Sequence, residues 1–420
     1  MRLVFATLGS LGDLHPVLAF GAALRARGHG VEIASNEMYR TKIAALGFVF
    51  HPLRPDLLAS GEHVISAIMD GPRGTERLMR DHLFPAVREM YADLRLVVAG
   101  ADALIASELV FPAPMLAAAG QVRWISFTLA PASLFSRHDP PVLPAPGPIR
   151  WLQRHAPGMP RLVKRVAKIV SHSWWRPLRT LRRELGLPPG RHPLFEGKYS
   201  PLLNLVLFSS ALQSPQPDWP ASAVQTGFLF HDETAAFAAL PRAVAEFLAA
   251  GTPPLIFTLG SAAVHLPGDF YPASAAAAEK LGRRALLLLG QNVPPPNLPR
   301  SVLGWDYLPY AQIFPHAAAV IHQGGIGTTA QTLRAGRPML IVPFAHDQFD
   351  NAARIARLGA GRTLGRSQYG PARVARELAA LLAGPRYTSA AAALGAQVRA
   401  ERGVENACEA LERALAAAPR

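Results

Sequence analysis

The stretch VIHQGGIGTTAQTL, residues 320–333, reads as the end of a strand, two adjacent glycines, a third two residues later, and a threonine pair opening a helix. The start of a helix carries unpaired backbone N–H groups and a partial positive charge, so it suits an anion. With side chains removed there, a phosphate can reach those N–H groups. A strand that delivers a helix N-terminus is also half of a βαβ unit, and the flanking sequence repeats the pattern.

RLVFATLG (2–9), the helical PVLAFGAALRARGHG (16–30) and VEIAS (31–35) make a βαβ start. ADALIAS (101–107) and VRWISFT (122–128) follow as strands, and residues 140–160 read as proline-rich loop. After AVQTGFLF (223–230) a second series begins: PLIFTLGS (254–261), RALLLLG (284–290), SVLGWDY (301–307), AAVIHQGG (318–325), PMLIVPF (338–344) and GAGRTL (359–364). Two doubly wound α/β units in tandem are the simplest arrangement. The expected domains are 1–225, 226–388 and a helical tail, 389–420, that packs back toward the first.

At 420 residues, half of them hydrophobic, the chain can bury two cores. Its single cysteine, Cys408, excludes an intramolecular disulfide framework and fits a reducing compartment, so a cytoplasmic location is expected. MRLVFATLGS reads as a first strand rather than a signal peptide. No uncharged apolar run approaches the ~18 residues of a membrane span, so a soluble or peripheral protein is expected.

Residues 137–192 hold 12 Lys and Arg against Asp139 and Glu184, so +10 of the chain's +14 formal charge lies there, with Trp151, Trp174 and Trp175 among them. A basic stretch interleaved with aromatics can rest on an anionic membrane, here through residues 150–191 at the inner face, or collect an acidic ligand. The competing reading is a solvated helix face whose tryptophans are core. A nucleic-acid partner is not expected, because no nucleic-acid module is recognisable.

Two glycine turns compete for a nucleotide. GSLGD (9–13) follows the first strand, with Glu32 about where a dinucleotide fold keeps its ribose acid, but Gly9 and Gly12 do not make Gly-x-Gly-x-x-Gly. HQGGIGTT (322–329) lies in the second series. Neither is followed by the Gly-Lys-Ser/Thr of a Walker A loop.

At these residues the chain resembles the nucleotide-sugar glycosyltransferases of the GT-B fold, most closely the branch holding macrolide, sterol and rhamnolipid glycosyltransferases. GSLGDLHPVLAFGAALRARGHGV (9–31) is similar to the start of the family's acceptor domain and TLGS (258–261) to the turn opening its donor domain. The most specific run is HQGGIGTTAQTLRAGRPMLIVPFAHDQFDNAARIARLG (322–359). The resemblance implies two Rossmann-like domains facing across a cleft. The C-terminal one would hold a nucleotide-sugar diphosphate, and the last helix would cross back to the first domain.

Glycosyl transfer builds negative charge on the departing diphosphate, so fixed dipoles aimed there lower the barrier. The resemblance assigns this to Gly324, Gly325, Gly327 and Thr328, with Gly12 from the first turn, Ser261 as a hydroxyl donor, and His322 or Gln323 as side-chain donors. Gln323 stands where the family commonly has histidine, so a cationic contact is lost unless His322 supplies it. Asp347 and Gln348 resemble the family's sugar-recognising pair, the alternative being a helix cap. Tyr307 falls where the family stacks an aromatic on the nucleobase, with Trp305 nearby. Gln331, eight residues after Gln323, replaces the family's ribose-binding Glu, which relaxes selection for the 2′-hydroxyl and opens the site to dTDP-sugars as well as UDP-sugars.

Asp13 matches the position of an acid in this branch and is the expected general base, with His15 second; the alternative is an N-terminal cap. Against Asp13 stand an ordinary pKa of ~3.9 and the positive end of the following helix, while burial would act the other way. The expectation is an inverting glycosyltransferase, with no metal and no cofactor beyond its nucleotide-sugar co-substrate, acting on a hydroxyl of an apolar small molecule or lipid. The loops at 55–90 and 130–200 would shape the acceptor pocket. The alternatives are a sugar-nucleotide epimerase of the same fold and a non-catalytic nucleotide-sugar-binding subunit.

Overall fold

A computed structural model describes residues 1–57, 61–69, 71, 73–144, 158–232 and 239–417; Trp151 and part of the 140–160 loop lie outside these. The chain divides into two units, Met1–Phe230 with Arg402–Arg420, and His231–Glu401.

The first unit carries a seven-stranded parallel sheet of β1 (Arg2–Ala6), β2 (Gly30–Ser35), β3 (Val49–Pro52), β4 (Ala103–Ser107), β5 (Arg123–Thr128), β6 (Asn204–Val206) and β7 (Ala223–Gln225), in the order β3-β2-β1-β4-β5-β6-β7. β4 is buried along its whole length, as expected of a parallel strand covered on both faces. β3 and β6 do not stand out in the sequence, being four and three residues long, too short to show a period. Glu32 is no ribose acid. Its carboxylate accepts from Arg2 Nε and Nη2, at 2.7 and 2.9 Å, and lies 2.7 Å from His51 Nε2.

The final helix, Gly403–Ala417, buries Ala407, Cys408, Leu411 and Leu415 in the core between this sheet and the helix Leu11–Ala26. Glu412 holds Arg27 at 2.8 Å and His29 at 3.0 Å, and Asn406 donates to the Thr226 carbonyl. Gly403 permits the approach, since a Cβ there would collide with the Phe228 carbonyl. Trp175 is 6% exposed and packs with Leu178, Leu181 and Trp174 into the core on the other side of the sheet. These two tryptophans are therefore structural.

The second unit carries a six-stranded parallel sheet of β8 (Leu255–Thr258), β9 (Ala285–Leu288), β10 (Val302–Trp305), β11 (Ala319–His322), β12 (Met339–Ile341) and β13 (Gly361–Thr363), in the order β10-β9-β8-β11-β12-β13. The helix Pro385–Ala400 stays with this unit, and Arg399 donates to the Arg334 carbonyl at 2.6 Å. Among the described residues no helix is long and apolar enough to cross a membrane.

Each sheet has one place where the chain order reverses, between β1 and β4 in the first and between β8 and β11 in the second. Open parallel sheets leave a crevice beyond the carboxyl ends of the strands at such a point. GSLGD follows β1 and HQGGIGTT ends β11, so both glycine turns open onto these positions.

Candidate functional site

At the second crevice the chain leaves β11 through Gly324 and Gly325 into the helix Ile326–Arg334. Gly324 has φ +90, and a Cβ there would stand 2.6 Å from Ile341 Cγ2, so both backbone and space require glycine. Gly325 is the N-cap and offers no side-chain bond to the helix. Nothing from its own N-cap thus covers the N–H groups of Ile326, Gly327 and Thr328, which suits an anion. The Thr328 hydroxyl bonds the Tyr310 phenol, which meets Thr258 Oγ1 at 2.9 Å. Any contact of Thr328 with a phosphate therefore falls to its backbone N–H. This chain of hydroxyls ties the helix to the end of β8, where Ser261 is half-buried in the turn Gly260–Ala263.

His322 does not take the compensating cationic role. It is fully buried, flanked in register by Thr258 and Ile341, and its Nδ1 accepts the Gly324 N–H at 3.0 Å while Nε2 lies 3.4 Å from Met339 Sδ. Burial pushes its pKa down to about 3, so it is neutral at physiological pH and holds the turn. Gln323 is 6% exposed, and its amide nitrogen lies where a Cβ on Gly260 or Gly325 would collide with it. Among the described residues its amide oxygen has no hydrogen-bond partner. The His322 position therefore contributes no cation to this crevice.

Asp347 occupies the N-cap position of the helix Gln348–Arg357 without capping it; its carboxylate accepts from Asn351 Nδ2 at 2.7 Å. The same Asn351 nitrogen donates to the Gly324 carbonyl at 2.9 Å, which joins the acid to the glycine turn. Gln348 is buried, and its amide oxygen accepts the N–H groups of Phe344 and Ala345 at 2.8 and 3.0 Å. With that oxygen engaged, any sugar contact by Gln348 falls to its N–H2. Asp350 is ion-paired with Arg354 at 2.6 Å, both almost completely buried. Tyr307 is 38% exposed beyond the edge strand β10, whereas Trp305 packs partly into the core. Gln331 is half-buried in the second turn of the Ile326–Arg334 helix.

At the first crevice Ser10 caps the helix Leu11–Ala26, accepting from the Gly12 N–H at 3.3 Å, and Asp13 returns a bond by accepting the Ser10 N–H at 2.8 Å. Asp13 is therefore the third residue of a capping box rather than the cap itself, which Ser-x-x-Asp could have signalled. Gly9, at φ +126, makes room for it, since a Cβ there would collide with the Asp13 carboxylate. Gly9 is in turn held by Asn36 Oδ1 and the Tyr39 hydroxyl, each at 3.2 Å. Loss of solvent around Asp13 pushes its pKa up to about 6; the Ser10 bonds pull the other way and Glu108 adds to the rise. Burial thus outweighs the hydrogen bonds to the carboxylate. His15 is half-buried two positions along the helix, which turns its Cα–Cβ direction about 200° from that of Asp13.

Glu108 enters from the other side of the reversal, after β4. It accepts from Ser133 Oγ and Lys198 Nζ, both at 2.5 Å, and the Lys198 side chain is only 7% exposed. The sequence reading did not single out Glu108, Ser133 or Lys198. Their separations of 25 and 90 residues leave no local signal.

Residues 3–108 match the family model described as the glycosyltransferase family 28 N-terminal domain, and residues 290–412 match the erythromycin biosynthesis protein CIII-like C-terminal domain. The chain is 32% identical over 427 aligned positions to the O-mycaminosyltylonolide 6-deoxyallosyltransferase of Streptomyces fradiae, covering 98% of this chain and 97% of that protein. Among solved structures it is similar to the glycotransferase of kitacinnamycin (TM-score 0.73, 21% identity, 99% of each chain). It is also similar to the glycosyltransferase VinC in complex with dTDP (TM-score 0.67, 20% identity, 100% of each chain).

Proposed function

Because the chain belongs to the GT-B nucleotide-sugar glycosyltransferases of the macrolide type, we propose that it moves a hexose, with inversion and without a metal ion, from a dTDP- or UDP-sugar to a hydroxyl of an apolar small molecule or lipid. A cytoplasmic location is part of this reading, in keeping with a lone buried Cys408. The observation that carries it is the uncapped N-terminus of the Ile326–Arg334 helix at the reversal between β8 and β11. There the backbone N–H groups stabilise the charge that develops on the departing diphosphate. Ser261, Gln323 and the N–H2 of Gln348 add hydrogen-bond donors, Asp347 adds an acceptor for sugar hydroxyls, and Tyr307 offers a ring to the base.

Asp13 is the proposed general base. Its pKa of about 6 leaves it ionised at neutral pH and basic enough to take the acceptor's proton as the hydroxyl attacks the anomeric carbon. A single displacement of that kind inverts the anomeric centre. Glu108, held by Lys198 and Ser133, acts as a positioning residue that keeps a negative charge near Asp13.

For the donor, dTDP-rhamnose is the leading candidate. Gln331 is a neutral amide where a carboxylate would grip both ribose hydroxyls, and deoxyribose lacks the 2′-hydroxyl. The 6-deoxyhexosyl transfer named for the Streptomyces relative and the dTDP bound to VinC support the same direction. Calorimetric titration should show dTDP binding at least as tightly as UDP, and Gln331→Glu should shift the ratio toward UDP. A UDP preference above tenfold, ~1.4 kcal/mol, would overturn the nucleotide assignment.

A further inference from the structure

The helix Met159–Val170 is oriented opposite to an ordinary surface helix. Its lysines face the protein: Lys164 and Lys168 reach Glu196 Oε1 at 3.4 and 2.8 Å and lie 5.7 and 5.6 Å from the Phe195 ring centroid. Four of its aliphatic residues face out, with Leu162 53%, Val166 48%, Ile169 67% and Val170 57% exposed, and none of its residues is buried. Positions 162, 166, 169 and 170 follow the i, i+4, i+7, i+8 spacing of one helical stripe. Arg161 and Arg165, also exposed, border that stripe. A surface helix normally turns such a stripe inward, and here two ion pairs hold the opposite side against the fold.

We propose that this face docks on an anionic lipid surface. The stripe's exposed border is basic, residues 137–192 carry a formal +10, and the acids of that stretch and Glu196 are already engaged: Glu196 with the two lysines, Glu184 with Arg88 at 2.5 Å, and Asp139 with Gln213 at 2.9 Å. The apolar side chains are all aliphatic and bordered by guanidinium stems long enough to stay at the headgroup level, the composition of a helix lying in an interface. The surface attraction is to anionic headgroups and decays within a Debye length. Docking goes beyond the transfer reaction and would bring the enzyme to acceptors dissolved in the bilayer.

The test is co-sedimentation of the full chain with vesicles of phosphatidylcholine alone or with a third phosphatidylglycerol. Wild type should bind the anionic vesicles at low salt, on the order of 20 mM, and lose several-fold at about 0.5 M. Val166→Asp with Ile169→Asp should weaken binding at least tenfold, and Arg161→Gln with Arg165→Gln several-fold. The unfolding temperature should stay as in wild type. The proposal fails if wild type does not bind at low salt, or if both double variants bind like wild type. It also fails if the aspartate pair dissociates a dimer in light scattering, making the face a contact between copies. A raised acceptor KM in that variant without change in lipid binding would make the face a wall of the acceptor site and likewise overturn docking.

Discussion

Asp13→Asn should cut turnover by ~10²-fold or more, the scale of losing general-base assistance, with dTDP affinity unchanged and the folded protein no less stable at pH 7. The two halves come from one cause. Burial makes Asp13 a useful base by disfavouring its charge, and a disfavoured charge is a cost to the fold. The folded pKa of about 6 lies above the unfolded 3.8, so the folded state holds its proton where the unfolded chain has lost it. The penalty is absent below pH 4, sets in as pH rises from 4 to 6, and is full above 6, at most about 3 kcal/mol. Asparagine escapes it while its amide oxygen still accepts the Ser10 N–H. Thermal unfolding at pH 7 should therefore rise by roughly 2–6 °C, with the gain vanishing near pH 4. In wild type, kcat/KM should fall about tenfold per pH unit below 6. His15→Ala should do much less; if it abolishes transfer while Asp13→Asn stays near wild type, the roles are reversed.

How much of this was legible in the sequence depended on range. The alternation of apolar runs with helical stretches shows the doubly wound class, because parallel strands such as β4 and β11 are buried along their whole length and apolar at every position but the last. The glycine turns are legible too, since Gly324 has neither the φ nor the space for another residue. The task of His322 was not. A histidine at a strand end reads the same whether it faces a ligand or the core, and what decides it is the placement of β11 between β8 and β12, which directs the ring toward Met339. Glu108 and Lys198 meet only because β4, which Glu108 follows, lies beside β5, and Lys198 lies on the connection from β5 to β6. Asn351 could have been found: four residues after Asp347 on a helix, it had to lie beside it.

Gly325→Asp should abolish useful donor binding while leaving the fold as stable as wild type or more so. Gly325 has φ −59 and ψ 145, an extended conformation open to any L-residue, so its backbone does not require glycine. Its missing side chain does something else, leaving the helix N-terminus unclaimed. An aspartate at an N-cap accepts from the N–H groups two and three positions on, here Gly327 and Thr328, and stabilises a helix by about 1 kcal/mol. The same carboxylate would take the donors proposed for the diphosphate. It would also set a negative charge beside it, worth about 4 kcal/mol of repulsion at ~4 Å and an effective dielectric near 20. Titration with dTDP should then show a loss on the order of 10²–10³-fold. Gly325→Ser caps without charge and should lose only about tenfold. Gly325→Ala isolates the approach of a Cβ to Gln323 Nε2, 2.8 Å in the present geometry, which a side-chain rotation relieves. A Gly325→Asp protein that unfolds at or above the wild-type temperature and still binds dTDP within threefold would show that the diphosphate is held elsewhere.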